Sequence, residues 1–580
     1  MHVLATNLEM VRTHALALAR QPIVALDTET TGLDPLSDTV LIVSFSDGDT
    51  ALLCDVRALP REGLQDALRP LLEGGPIKVM HNAKFDLRML LSLGLRAWPV
   101  ADTWLTELVL EGGRHDHSQS LAELSKRYLG MPLDKQERGS FQRTTVHDAL
   151  TPSQLEYAAR DVLATFHVFL TQVQRLPVEN AVKVARLESL CVRALADMEQ
   201  RGVLVDADAW RRVVEEAREL QRHARTEMDH HLRSVLDVDL LGVVDINYER
   251  EADVRHALSK LGFNVDSLHK EILGKLEHPV VKALLRYREA HKITSTYGEG
   301  FLQHVHQKTG RIHASFRQIG ASTGRMSCER PNMQNLPKDS EFRSCVRAGP
   351  GRLMVTADYA ACELRILAHL SQDPVFLGAF ERGEDVHSKV ATQVFGVPVS
   401  KTENPLLRER AKVISFGLIY GMGAQGLAAA TGQTLPESEQ LLAQYFRQFP
   451  RIDSALKRLE QDARRQGHAQ TILGRRLYME ADAWDKGLGA AQRLSRNMPI
   501  QGTSADITKL AMAFIHDKLD GKGAGLINCV HDELLIECAE SSAPEVATLV
   551  KQEMERAMQT VIPGVPPLAD VRTGATWLKG

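Results

Sequence analysis

Apolar and polar positions run in two rhythms along the chain. Over the first 175 or so residues, short apolar runs alternate with stretches of helical spacing. Residues 23–26 and 40–46 read as neighbouring strands, and 64–72 and 84–93 as helices. Strands alternating with helices predict an α/β domain. It closes near Arg175-Leu176-Pro177. From Val182 to about Ala290, apolar residues spaced like Leu190, Leu195 and Met198, with long charged faces between, predict mostly helix. From Gly310 the pattern is mixed. Apolar strands at 353–357 and 526–530 flank a helical middle from 401 to about 500. There is no internal repeat and no low-complexity tract.

The chain has 580 residues, too many for one ordinary domain and enough for several units of roughly 100–200 residues each. Hydrophobic content of 44% and charged content of 25% fit a globular protein in water. No apolar run reaches the roughly 18 residues of a membrane span, and the first residues resemble neither a signal nor a transit peptide. The seven cysteines are scattered with no CxxC spacing, which argues against zinc and a disulfide framework and for the cytoplasm. Net charge is −4, whereas nucleic-acid binders are usually basic. Yet residues 408–496 are dense in Arg and Lys, and local field governs binding to phosphates.

Acids end several of the apolar runs. Asp27 and Glu29 follow the first strand. Residues i and i+2 of a strand share a face, so the two carboxylates can share a metal. Asp86 closes His81-Asn82-Ala83-Lys84-Phe85-Asp86, again after an apolar run. Tyr157 and Asp161 are spaced i, i+4 and meet on one helical turn; taken alone they read as a solvated helix face. Taken together, clustered acids repel and need cations. Two divalent ions held by Asp27, Glu29, Asp86 and Asp161 suit hydrolysis of a phosphodiester, with Tyr157 orienting the water. This set resembles the DEDDy family of 3′→5′ exonucleases, whose four acids and tyrosine all find a match, and the resemblance implies an active nuclease.

A second constellation lies downstream. Asp358 ends the run Leu353-Met354-Val355-Thr356-Ala357, and Asp532-Glu533 sit at the tip of an apolar hairpin over 526–537. Charge at such places is costly unless a metal ion offsets it. Between them Arg408, Lys412, Phe416 and Tyr420 are each four residues apart and form one helical ridge. Two cations leading into two aromatics suit a triphosphate at one end and a base at the other. Lys412 is placed to protonate a leaving pyrophosphate. Aromatic packing with snorkelling cations is the alternative for this ridge by itself. Gly421-Met422-Gly423-Ala424-Gln425-Gly426 matches GxGxxG, but it follows a helix rather than a strand. Its glycines are expected to end the helix. Arg493, Asn497 and Gln501 are again spaced by four, with Pro499 expected to distort the turn. All three donate hydrogen bonds, and the minor groove offers acceptors at every base pair.

The whole set resembles family A DNA polymerases of the bacterial DNA polymerase I type. The matching stretches are Thr323-Gly324-Arg325 with Pro331-Asn332-Met333-Gln334-Asn335-Leu336-Pro337, Asp358-Tyr359 with Glu363-Leu364-Arg365, and Asp385-Val386-His387. They continue through Arg408-Glu409-Arg410-Ala411-Lys412, Phe416-Gly417-Leu418-Ile419-Tyr420-Gly421, Pro499-Ile500-Gln501-Gly502-Thr503 and Val530-His531-Asp532-Glu533. The resemblance implies an α/β and α+β multidomain fold. An RNase H-like exonuclease domain (1–178) precedes a right hand with thumb (179–312), palm (313–400 and 501–580) and fingers (401–500).

By the same resemblance, Asp358 and Asp532 hold two Mg²⁺ ions, with Mn²⁺ as substitute, and Glu533 stands beside them. Two more ions belong to the nuclease acids. Arg343, His387, Arg408 and Lys412 contact the incoming triphosphate. Glu363 crowds a ribose 2′-hydroxyl, and Phe416 and Tyr420 shape the sugar and base pocket. Arg325, Asn335, Arg493, Asn497, Gln501 and His531 track primer–template DNA. The implied partners are that DNA, deoxynucleoside triphosphates and other replication proteins, with no membrane and a monomeric enzyme. Ala360-Ala361-Cys362 and Ser415 depart from the common pattern, which bears on fidelity. No room is expected for the 5′-nuclease domain of larger relatives. A stand-alone nuclease, a DNA-binding scaffold and a single-subunit RNA polymerase are the rival readings. Asp358, Lys412 and Asp532 speak against the first two, and Glu363 with the complete nuclease set against the third.

Overall fold

The computed structural model describes residues 1–114, 117–133, 137–238, 244–337, 341–480, 484 and 489–577. They fall into two compact units. The larger holds residues 1–202, 314–334 and 350–575; the smaller holds 203–313 and 335–349 with Thr576 and Trp577.

The larger unit begins with a six-stranded mixed sheet: β1 (His2–Ala5), β2 (Ile23–Thr30), β3 (Val40–Ser46), β4 (Ala51–Asp55), β5 (Glu73–Met80) and β6 (Trp98–Asp102). The strand order is β1-β4-β3-β2-β5-β6. Every residue of β3 is buried, because helices cover both faces of the sheet. That is why its sequence is continuously apolar rather than alternating. Val24, Leu26, Val43 and Phe45 face a core shared with the helices Leu8–Leu18, Arg61–Leu72 and Ala83–Ser92. Ala25, Leu41, Ile42 and Leu53 face the helix Pro152–Val178. That helix starts at a capping box, Thr151 with Gln154, and has Pro in its first turn, where a missing N–H costs nothing.

A second, four-stranded antiparallel sheet lies in the same unit: β7 (Arg352–Tyr359), β8 (Gly525–Val530), β9 (Glu533–Ala539) and β10 (Ala569–Gly574), in the order β8-β9-β7-β10. The helix Ala543–Val561 packs on β7 and β10, and the helix Val182–Arg201 on β8. Val182–Arg201 therefore belongs with this unit, although its sequence reads as the start of the helical stretch that follows. The helix Gly489–Leu519 runs 31 residues straight through Pro499, so the proline does not end it. All seven cysteines are buried and free.

In the smaller unit the helices Ala207–Leu232 and Pro279–Tyr297 pack against each other. Trp210 is fully buried here; its indole donates to the Tyr297 carbonyl at 2.8 Å and its ring stacks on Phe301 at 4.6 Å.

Candidate active sites

The first acidic cluster is built from three elements. Asp27 and Glu29 lie inside β2, not after it, because the strand runs on to Thr30. Asp86 stands in the first turn of Ala83–Ser92, and Tyr157 and Asp161 on Pro152–Val178. Asp86 is 1% exposed. It accepts the Thr28 hydroxyl at 2.7 Å and the Thr28 amide at 3.1 Å, which ties its helix to β2. Behind it, Asp102 accepts the amides of Asn82 (3.1 Å) and Ala83 (2.8 Å) and also caps the next helix through Trp104 (2.8 Å). Sequence reading passed over Asp102 and Thr28. Asp102 had a signal: it stands at the cap position before the apolar helix Thr103–Glu111.

The electrostatics tie the acids together. Burial pushes the Asp27 carboxyl well up, and after burial the largest influences are the charges of Asp86, Glu29 and Asp161. Burial likewise pushes Asp86 up to about 7, against the pull of the Thr28 hydrogen bond. Tyr157 is raised by burial and by Asp161, Glu29 and Asp27, so its phenol keeps its proton and hydrogen-bonds Asp161. Among the described residues no group of three or more His, Cys, Asp or Glu side chains is already arranged to hold a metal ion. The fit to one rests on chemistry instead. The donors are all oxygen, as hard divalent cations require, and they repel one another in a buried place that a cation would relieve.

The second cluster lies at one end of the four-stranded sheet. Asp358 on β7 pairs with Glu533 on β9 and with Asp570 on β10. Val530 pairs with Glu533, so His531 and Asp532 form a two-residue hairpin turn at that end. Directly opposed residues have Cβ atoms about 5 Å apart, which sets Glu533 against Asp358 and leaves Asp532 one residue along, at the turn. His531 holds φ +58°, a left-handed conformation that costs a non-glycine residue about 1–2 kcal/mol. A cleft beside the turn is lined by Arg325, Gln334, Ser504, Lys509, His531 and Asp532.

Arg408, Lys412 and Phe416 share the helix Pro405–Ile419, and Tyr420 is its C-cap. The Phe416 and Tyr420 rings stack at 6.4 Å, and His387 lies 5.6 Å from Phe416, so the ridge and the histidine form one surface. Gly421 follows at φ +68° and ends the helix, as its sequence predicts; Arg493 packs where its side chain would be. Arg408 is held by Asp385, with Nε donating to Oδ2 at 2.6 Å and Nη2 to Oδ1 at 3.2 Å. Asp385 is driven down to about 2; burial opposes the shift, and the hydrogen bonds and charge of Arg408, with Ser388, overcome it. Glu363 is nearly buried and accepts Arg325 Nη2 at 2.6 Å. Burial, and after it the charge of Glu363, pushes the Tyr420 hydroxyl up to about 12, so these two stand side by side.

Arg493, Asn497 and Gln501 all sit on Gly489–Leu519. Asn335 and Arg343 belong to the smaller unit. Arg343 corrects the sequence reading. It is 1% exposed, and its guanidinium lies 4.1 Å from the Trp577 ring centroid. A cation committed to an internal stack is not open to a triphosphate.

Comparison with known proteins bears on both sites. The family model described as DNA polymerase family A matches residues 215–579, which include the whole second constellation. The chain belongs to DNA polymerase family A. The model of a 3′-5′ exonuclease matches residues 3–174 of this family A chain, with all five nuclease residues inside. DNA polymerase I of Chloroflexus aurantiacus is 32% identical over 97% of this chain and 62% of its own length. The Pseudomonas aeruginosa enzyme is also 32% identical, over 97% and 64%. The thermostable DNA polymerase I of Thermus aquaticus is 38% identical over 52% of this chain and 36% of its own. The chain thus spans somewhat under two thirds of the length of its full-length matches. A solved structure, the POL domain of Pol1 from M. smegmatis in complex with DNA primer-template and dNTP, matches with a TM-score of 0.82 at 29% identity, covering 98% of both chains. Domains of these two families generally depend on divalent metal ions. No helix of the described residues is long and apolar enough to cross a membrane.

Proposed function

We propose that this chain is a template-directed DNA polymerase that adds deoxynucleotides to a primer 3′ end and removes mispaired ends with its own 3′→5′ exonuclease. The observation that carries the reading is the register Asp358–Glu533, which sets Asp532 at the adjacent hairpin turn beside Asp358. Residues 203–313 serve as thumb, the second sheet as palm and the helices from 401 to 500 as fingers. The partners are primer–template DNA, deoxynucleoside triphosphates and other replication proteins, and the enzyme works as a cytoplasmic monomer.

Asp358 and Asp532 would hold Mg²⁺ in the polymerase site, two ions with Mn²⁺ as substitute, and Asp27, Glu29, Asp86 and Asp161 would hold them in the nuclease site. Bound there, such ions would lower the pKa of an attacking oxygen and stabilise charge on a leaving one. The rest falls to the chain's own groups. Arg408 and Lys412 neutralise the triphosphate, and Lys412 gives a proton to the leaving pyrophosphate as the primer 3′-oxygen attacks the α-phosphate. Glu363 excludes a ribose 2′-hydroxyl, and Phe416 and Tyr420 flank the new base pair. Arg325, Asn335, Arg493, Asn497, Gln501 and His531 track the primer–template DNA, whose minor groove offers acceptors at every base pair. In the nuclease site, Tyr157 keeps its proton and orients the attacking water.

Extension of a labelled primer with Mg²⁺ and four deoxynucleotides, run again without nucleotides, tests the proposal. Growth in the first case and 3′ shortening in the second are expected. Shortening in both would reduce the second half to a DNA grip.

A further inference from the structure

Four charged side chains lie buried together beneath the proposed polymerase site, and the mechanism above uses none of them. Glu188, Arg475, Asp506 and Lys509 are each 4% exposed or less. Arg475 grips Asp506 Oδ1 with Nε at 2.8 Å and Nη2 at 2.7 Å, and Nη2 also reaches Glu188 Oε1. Lys509 Nζ donates to the same Glu188 oxygen at 2.6 Å. Gln318 Nε2 donates to the other Glu188 oxygen at 2.6 Å, and the Thr471 hydroxyl to Asp506 Oδ2 at 2.8 Å. Two cations face two carboxylates, so the cluster is neutral. Buried ion pairs seldom add stability over apolar packing, which leaves fixing one geometry as their best-attested use.

The geometry they fix is that of Arg325. Gly324 holds φ +84°, and a Cβ there would stand 2.5 Å from Arg475 Nε. Only glycine lets this turn close onto the guanidinium. The next residue, Arg325, reaches Glu363, and Glu363 stands beside Tyr420. A line of direct contact thus runs from the buried charges through Arg475, Gly324, Arg325 and Glu363 to the sugar pocket.

We infer that Arg475 is a positioning residue for sugar selection: it holds the Gly324–Arg325 turn so that Arg325 keeps the Glu363 carboxylate where a 2′-hydroxyl would go. The inference rests on the polymerase reading given above. Arg475→Lys keeps the charge and loses the two-pronged hold on Asp506. Gly324→Ala leaves Arg475 intact and pushes the turn off it.

Single-nucleotide extension with ribo- and deoxynucleoside triphosphates, on the full chain, reads the effect. In both variants the ratio of ribo to deoxy kcat/KM is expected to rise about tenfold, mainly through a lower KM for the ribonucleotide. The double variant is expected to show no further rise, because both changes break one contact. Shortening of a single-stranded oligonucleotide is expected to stay at the parent rate. A ratio unchanged in Gly324→Ala overturns the inference, even if Arg475→Lys fails to fold. A ratio unchanged in a folded Arg475→Lys overturns it too, whatever either change does to thermal stability. A parent chain that extends no primer with either sugar fails the polymerase reading itself, a result distinct from both.

Discussion

Asp532 occupies a two-residue turn whose other member, His531, already bears a left-handed backbone. Asp532→Asn keeps the size and the turn and removes the charge. Primer extension is expected to fall at least about 100-fold, while 3′ shortening persists; loss of both in the same assay would mean that the two sites are not separate. Lys78 is a different kind of residue. It is fully buried on β5, with its ammonium against the carbonyls of Gly74 and Trp98. Burial, and after it the charge of Arg193, lowers it from 10.5 to about 7. The unfolded chain therefore binds the extra proton between about pH 7 and 10.5, and this group makes the protein more stable as pH rises through that window. Lys78→Met removes the penalty. Thermal unfolding at pH 6.5 is expected to move up in the variant, with the gap narrowing by pH 9. The reading of single residues from sequence had a clear limit. Asp27, Asp86, Asp358 and Asp532 were legible because each acid interrupts or ends an apolar run. Arg343 misled because the resemblance alone places it at the triphosphate, and only the fold reveals the Trp577 ring over which it lies.

The helix Pro405–Ile419 presents its cations already engaged. Glu409 lies 2.9 Å from Arg408 and 3.9 Å from Lys412, while Asp385 holds Arg408 from the other side. On the proposed reading, an incoming triphosphate would replace these carboxylates. Glu409→Gln is expected to lower the KM for deoxynucleotides by about two- to fivefold at low salt, in line with the modest worth of exposed pairs. The gain should fade as salt rises, and a KM that is unchanged at low salt would show that Glu409 does not compete. The elements themselves were largely readable. β3 spans the residues expected of it, and the ridge from Arg408 to Tyr420 forms with its rings stacked. Boundaries were less so. The strand that carries Asp27 continues through the polar residues Asp27-Thr28-Glu29-Thr30, because β3 pairs with it that far. Gly489–Leu519 passes through Pro499, where the periodicity predicts a distortion. Strand pairing overrides the local signal in the first case; in the second the helix continues through the proline.

Across the larger unit, the hairpin of His468–Gln470 and Arg476–Tyr478 is one place where residues far apart in sequence meet. The Tyr478 amide donates to the Gly112 carbonyl at 2.9 Å, Arg114 lies 3.9 Å over the Tyr478 ring, and between the two strands Arg475 enters the buried charge cluster. None of this was visible in the sequence, since Glu188 and Lys509 are 321 positions apart and no local pattern links them. Yet the cluster decides how the gene can be divided. Drawn by homology, nuclease and polymerase are two cassettes in series, and residue 203, where the smaller unit opens, looks like a natural seam. A fragment opening at 203 loses Glu188 together with the helix Val182–Arg201 that packs on Gly489–Leu519, so Lys509 loses its carboxylate partner and Arg475 keeps only Asp506. A fragment opening at 180 keeps the cluster neutral. Only the second is expected to give a cooperative thermal transition. The boundary at which the two matched domains can be parted is therefore expected to lie ahead of Val182–Arg201, and a cut placed behind that helix is expected to unfold at a lower temperature than one placed ahead of it.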